Sequence, residues 1–228
     1  MSTYFVAGVV IIVAAFLFWR FFWFFRNPPR STPPGEALLS PADGKVVYVR
    51  MVQPKEPVIT IKKGQEARIV DILKEDDAGP KVIIGVFMSP FDVHYNRAPL
   101  SGRVESVVHY PAQPRNMHMG IMHWRSLLNR LPLYRDSLHI IQNERMVTRI
   151  NGLFKGASLT AYIIQIAAKS IRGIDVFIPE GGEVERGAVF GMIRIGSQVD
   201  LVVPWKPDME IKVRAGDRVR AGESELIV

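Results

Sequence analysis

Val189-Phe-Gly-Met-Ile-Arg-Ile-Gly-Ser-Gln-Val-Asp-Leu-Val-Val203 holds two apolar, β-branched runs, Val189 to Ile195 and Val199 to Val203, around Gly196-Ser197. Runs of this composition and length read as strands. A Gly-Ser pair by itself marks an ordinary turn, so a bulge or hairpin corner is the plain reading. The other reading is chemical. Glycine accepts strained backbone without a Cβ clash, and a hydroxyl follows at once. Ser197 Oγ is therefore placed to attack the Gly196 carbonyl.

The rest of the chain reads the same way. Lys45 to Val52, Val58 to Ile61, Lys81 to Met88, Arg103 to His109, Met146 to Leu153 and Ser158 to Ala167 are further short strand-like runs. Near the C-terminus, Ile178-Pro-Glu-Gly-Gly-Glu-Val-Glu-Arg-Gly187 is echoed by Val213-Arg-Ala-Gly-Asp-Arg-Val-Arg-Ala-Gly222. Each copy has a glycine and an acid at a turn, an inward valine, then a second glycine. Two copies fall short of a repeat array. They suit a mainly β fold, a compact barrel or sandwich resembling lipoyl and hybrid-motif domains, with one or two accessory helices.

The N-terminus is different. Tyr4 to Phe25 is a run of 22 residues whose only charge is Arg20. As a helix it reaches roughly 33 Å, enough for a hydrocarbon core of about 30 Å. No positive stretch precedes it and no small-residue cleavage site follows, which disfavours a signal peptide. Spanning and re-entrant insertion both satisfy its length. Trp19, Trp23 and nearby phenylalanines resemble an interfacial belt, and Arg20 can snorkel. Arg20, Arg26 and Arg30 all follow the wholly apolar stretch Val6 to Phe18, so the positive-inside rule places the remainder on the cytoplasmic side of the cell membrane. The chain thus divides into an anchor (1–26), a Pro-rich linker (27–37) and the domain that carries Gly196-Ser197 (38–228).

The net charge of +7 favours anionic partners. With no recognition helix or RNA-binding signature, an anionic lipid surface is expected and nucleic acid is not. Zero cysteines exclude a disulfide framework and a thiolate nucleophile.

Three further segments accompany the Gly-Ser stretch. They are Phe24-Phe-Arg-Asn-Pro-Pro-Arg30, Leu39-Ser-Pro-Ala-Asp-Gly-Lys45, and Phe87-Met-Ser-Pro-Phe-Asp-Val-His-Tyr-Asn-Arg-Ala-Pro-Leu-Ser-Gly102. In this order and spacing they resemble the phosphatidylserine decarboxylase family, in particular its short, membrane-anchored members. The resemblance runs from about Phe24 to the C-terminus, with a poor match between Pro111 and Gln142.

Decarboxylating an α-amino acid leaves a carbanion that no ordinary side chain can delocalise, so a carbonyl electron sink is needed. The resemblance implies one made from the chain, with neither pyridoxal phosphate nor metal. Ser197 attacks Gly196, the resulting ester undergoes β-elimination, and the dehydroalanine left behind hydrolyses to an N-terminal pyruvoyl group with loss of ammonia. The products are a β chain (1–196) and an α chain (197–228) that stay together as a heterodimer; higher association is left open. The implied activity converts phosphatidylserine to phosphatidylethanolamine, and an archaeal ether lipid, archaetidylserine, would undergo the same chemistry.

Serine needs a positioned base. The resemblance makes His94 of Ser89-Pro-Phe-Asp-Val-His94 that base and Asp43 of Ser40-Pro-Ala-Asp-Gly44 the group orienting it. A carboxylate before glycine is also an ordinary turn residue. Larger family members carry a second histidine where this chain has Arg97. Either His94 serves twice or another group shares the work. Arg97 is a candidate for the substrate phosphate or carboxylate, since its planar fork suits both, or else a plain surface arginine. Asp92 is expected to be structural.

In the poorly matching stretch, His118 and His123 lack neighbouring carboxylates and make a poor metal site. Met, Trp and Leu interleaved with Arg125, Arg130 and Arg135 suggest a lid or interfacial segment; ordinary packing is the alternative. Outside this family, a membrane-anchored hybrid-motif metallopeptidase would need clustered histidine ligands, and a non-catalytic binding module would have no use for Gly196-Ser197.

Overall fold

The structure, a computed structural model, describes residues 3–62, 65–73, 79–168, 173–194 and 197–228. Helix α1 (Thr3–Phe18) buries no residue and continues into a π-helical turn at Trp19–Trp23. Together they form one helix, Thr3–Trp23, long and apolar enough to cross a membrane. It is apolar on all sides, so it has no single stripe to lay on the domain. At its end Arg20 lies 5.2–5.8 Å from the rings of Phe21, Phe24 and Phe25. Arg26 lies 4.4 Å from Trp23.

The remaining chain is mainly β. In order come β1 (Leu38–Leu39), β2 (Gly44–Val52), β3 (Pro57–Lys62), β4 (Gln65–Arg68), helix α2 (Ile69–Leu73), β5 (Lys81–Met88), β6 (Tyr95–Arg97) and β7 (Gly102–Tyr110). Helices α3 (Gly120–Leu127) and α4 (His139–Gln142) occupy the stretch that matched the family poorly. Then follow β8 (Arg145–Phe154), β9 (Ala157–Ala167), β10 (Ile174–Val176), β11 (Glu183–Val184), β12 (Val189–Ile193), β13 (Ser197–Pro204), β14 (Arg218–Val219) and β15 (Glu225–Ile227).

Eight strands form one antiparallel sheet, β11-β7-β8-β9-β13-β5-β2-β14, curled into a half-barrel. β13 lies inside it between β9 and β5 and is paired along both edges. Its side chains alternate between two cores. Val199, Leu201 and Val203 join Met88, Ala167 and Phe190 on one face. Val202 joins Tyr48, Phe87 and Ile164 on the other, over which α3 and α4 lay Met122 and Ile140. Fully buried β5, Lys-Val-Ile-Ile-Gly-Val-Phe-Met, shows the continuous run expected of a strand covered on both faces.

The sequence echo has a structural counterpart. Its two valines, Val184 and Val219, lie in β11 and β14, the two-residue strands that close opposite edges of the sheet. Gly187 and Gly222 take φ of +82° and +74°, a left-handed turn that glycine accepts without a Cβ penalty.

The Pro-rich segment is extended, as its prolines require, yet it is a strap rather than a free spacer. Arg30 bridges Asp43 at 2.8 Å and Glu223 at 3.3 Å. Arg186 donates to the carbonyls of Pro33 and Ala37. Phe24, just ahead of the strap, is buried against the domain.

Candidate active site

Ser197 opens β13, opposite Met88 of β5 and Ala167 of β9. It is fully buried, and its hydroxyl donates to Met88 Sδ at 3.4 Å, a weak acceptor that leaves the oxygen free for chemistry. Gly196, the other half of the expected cleavage site, lies outside the described residues. The flanking strands belong to different sheets: β12 pairs with β6 and β10, whereas β13 pairs with β5 and β9, a difference that local sequence pattern does not reveal.

His94 immediately precedes β6. Its carbonyl accepts from Ile193 N at 3.2 Å, at the end of β12 and four residues before Ser197 in sequence. Asp92 closes the preceding loop on Ser89 through both its backbone N–H and its side chain. The Asp92 carbonyl lies 2.9 Å from His94 Nδ1. Because a carbonyl only accepts, Nδ1 carries the proton and Nε2 presents a lone pair. Nε2 is buried with no hydrogen-bond partner among the described residues. Phe24 covers the ring, with centroids 4.2 Å apart and planes inclined by 33°. Burial lowers the imidazole pKa to about 4. The ring is thus neutral near pH 7, the state that a proton acceptor needs.

Among the described residues Asp43 makes no hydrogen bond to this ring. One carboxylate oxygen binds Arg30 and the other accepts from Ala221 N at 2.8 Å, so it fastens the strap to the C-terminal segment. The orienting acceptor is the Asp92 backbone. Asp92, expected to be structural, also pairs with Arg218 at 2.8 Å. Arg97 is likewise committed elsewhere. It donates to the Gly187 carbonyl, Asn27 Oδ1 and the Pro28 carbonyl, holding the strap down.

Several residues around the site escaped sequence reasoning. Asn96 Nδ2 approaches the same Met88 sulfur at 3.7 Å, and Asn96 Oδ1 accepts from Gln165 at 2.8 Å. Gln165 Oε1 is buried on the Ser197 face of the sheet and has no partner among the described residues. On the opposite face, Gln198 donates to Tyr48 Oη and Asp200 Oδ1 while facing His139 Nε2 at 3.1 Å. Tyr48 donates to Asp200 at 2.7 Å. Burial raises the Asp200 pKa to about 6 and lowers that of His139 to about 4. Gln198 and Asp200, alternating with Val199 and Leu201 in β13, were the available signal. Among the described residues, no three His, Asp or Glu side chains converge in a metal-ligand set.

Phe24 carries a local prediction. In an uncleaved Ser197→Ala background, Phe24→Ala admits water to the imidazole and should move the His94 pKa up from about 4 toward 6.5. An NMR titration checks this. An unmoved value would mean that other groups desolvate the ring.

In sequence, the chain is similar to known proteins. A family model described as phosphatidylserine decarboxylase matches residues 17–226. The chain belongs to the phosphatidylserine decarboxylase family. It is 35% identical to a putative archaetidylserine decarboxylase proenzyme of Methanopyrus kandleri, over 90% of this chain and 80% of that protein. It is 34% identical to a phosphatidylserine decarboxylase proenzyme of Pelobacter propionicus, over 90% and 74% of the two chains. A phosphatidylserine decarboxylase proenzyme of Geotalea uraniireducens is 30% identical over 97% and 90%.

Proposed function

We propose that the chain is a proenzyme that cuts itself between Gly196 and Ser197 and then decarboxylates phosphatidylserine to phosphatidylethanolamine at a membrane. The observation that carries this reading is Ser197 itself. The residue that the family motif puts at the cut is a buried, weakly held hydroxyl at the start of β13. In the cut, Ser197 Oγ attacks the Gly196 carbonyl and His94 Nε2 takes the hydroxyl proton. The scissile amide becomes an ester, and elimination across Cα–Cβ of residue 197 then releases the Gly196 carboxylate.

A pyruvoyl group at position 197 supplies a carbonyl that condenses with the substrate amine and accepts the electrons left by departing carbon dioxide. The surroundings fit it. Residue 197 is buried at the first pair of a strand hydrogen-bonded on both sides, so a new terminus there stays fixed and dry. The 197–228 fragment also contributes β14 to the sheet edge and β15 to its pairing with β1. A cut backbone therefore leaves the two chains associated. Thr3–Trp23 anchors this heterodimer, and the arginines after it favour the cytoplasmic side.

Archaetidylserine is the second substrate reading, favoured by the similarity to the Methanopyrus protein. Purified protein given each lipid in vesicles should release carbon dioxide from one or both. Borohydride should abolish that release by reducing the essential carbonyl. Inactivity on both lipids, or full activity after borohydride, would overturn the proposal.

A further inference from the structure

Helix α3 has two sides. Met122 and its neighbour Met119 are buried in the second core, as ordinary packing requires. Ile121, Trp124, Leu127 and Leu128 are each more than half exposed, as is Leu131 beyond the helix. Three large apolar side chains on one short helix, with Leu128 just past its end, form an uncovered face.

Its place in the fold says what covers it. Lys45 Nζ donates to the Ser126 carbonyl at 2.6 Å, and the His123 ring lies 6.4 Å from Phe87. Lys45 and Phe87 are cross-strand partners at the sheet end where Ser197 pairs with Met88. The loop leaving that end carries exposed Phe91, whose ring is 6.3 Å from Trp19 of the apolar helix. The Phe91 carbonyl also accepts from Arg26 at 2.6 Å. One end of the barrel thus bears both the root of the anchor and the apolar face of α3. Charge agrees: residues 111–135 contain Arg115, Arg125, Arg130 and Arg135 and no acid.

We propose that the exposed face of α3, with Leu131, is a second membrane-contact element that seats in the interface of an anionic bilayer beside the anchor. Apolar residues with tryptophan on one face and arginines nearby suit that interface. A helix of eight residues would bind weakly alone. Tethering by the anchor raises its effective concentration at the surface, so weak contacts suffice. Seated this way, the Ser197 end of the barrel faces the headgroups. The inference rests on reading Thr3–Trp23 as a bilayer anchor.

The chain has no cysteine, so single-cysteine variants can be labelled cleanly. Leu127→Cys, Ile11→Cys and Leu153→Cys would each carry an environment-sensitive fluorophore on the full-length protein in phosphatidylglycerol–phosphatidylcholine vesicles. Leu153 is exposed at the far end of β8 and serves as the control. Spin-labelled lipid should quench positions 11 and 127 and spare 153. Quenching at 11 without quenching at 127 would overturn the α3 proposal and leave the anchor standing. No quenching at 11 would instead remove the anchor reading on which it rests. Self-quenching at 127 that follows protein density, independent of spin-labelled lipid, would assign the face to a second copy and overturn the proposal. In the unlabelled chain, Trp124→Ser with Leu128→Ser should raise KM for vesicle substrate several-fold while kcat and self-cleavage persist. An unchanged KM, or loss of self-cleavage, would show that the face serves packing alone.

Discussion

Ser197→Ala is expected to yield one uncut chain of full length without decarboxylase activity. The substitution removes the only atom at this position that can attack Gly196. It costs little else, because the native hydroxyl makes one long contact with Met88 Sδ and alanine fits the same buried space. Folding should therefore survive, and a denaturant midpoint near that of unprocessed wild type would separate chemical failure from collapse. Ser197→Thr and Ser197→Cys keep a nucleophile on Cβ and should cleave more slowly than wild type. Electrophoresis and an activity assay check the series; an active alanine variant would remove Ser197 from both of its proposed roles.

The second large effect concerns His94. His94→Ala should slow self-cleavage by about 10²-fold or more, the usual scale of general-base assistance. The pH dependence follows from the buried ring. A base with pKa about 4 is unprotonated throughout the neutral range, so the cleavage rate should stay level from pH 8 to 6 and fall only as pH approaches 4. Stability should follow the same sign. The unfolded chain binds a proton near pH 6.5 that native His94 and His139 refuse until about pH 4, so their contribution is complete above pH 6.5 and is lost as pH falls through that window. Unimpaired cleavage in His94→Ala would move the base elsewhere. A rate already halved near pH 6.5 would show that the ring is hydrated during the reaction.

Much of this architecture is legible in the sequence because strand periodicity and glycine turns are local. The runs read as Lys45 to Val52 and Ser158 to Ala167 emerge as β2 and β9, shifted by one residue at their starts. The echoed valines become the two closing strands for the same reason: a turn, an inward apolar residue and a second turn recur within ten residues. Partner choice between distant segments is not local, and there the reading departs. Nothing in Ser-Pro-Ala-Asp-Gly says that Asp43 will meet Arg30 and Ala221 N rather than a histidine. Nothing in the proline content of the strap says that Arg97 will hold it down. The Tyr48–Gln198–Asp200 cluster is hidden likewise, since burial of its members depends on α3 and α4 covering the sheet. Phe24 reads as anchor composition and is found against the imidazole.

One consequence is that the strap belongs to the working enzyme. Removing the apolar helix alone leaves Phe24, Arg30 and their contacts, whereas removing residues through Pro33 takes away the cover of His94 and the partner of Asp43.

Self-cleavage at one peptide bond is the central claim, and an intact-mass spectrum of purified wild-type protein tests it most directly. The account predicts two fragments, one ending at Gly196 and one comprising residues 197–228, the smaller lighter by one ammonia than the unmodified 197–228 peptide and blocked to Edman degradation. A single uncut chain that nonetheless decarboxylates its lipid would contradict it.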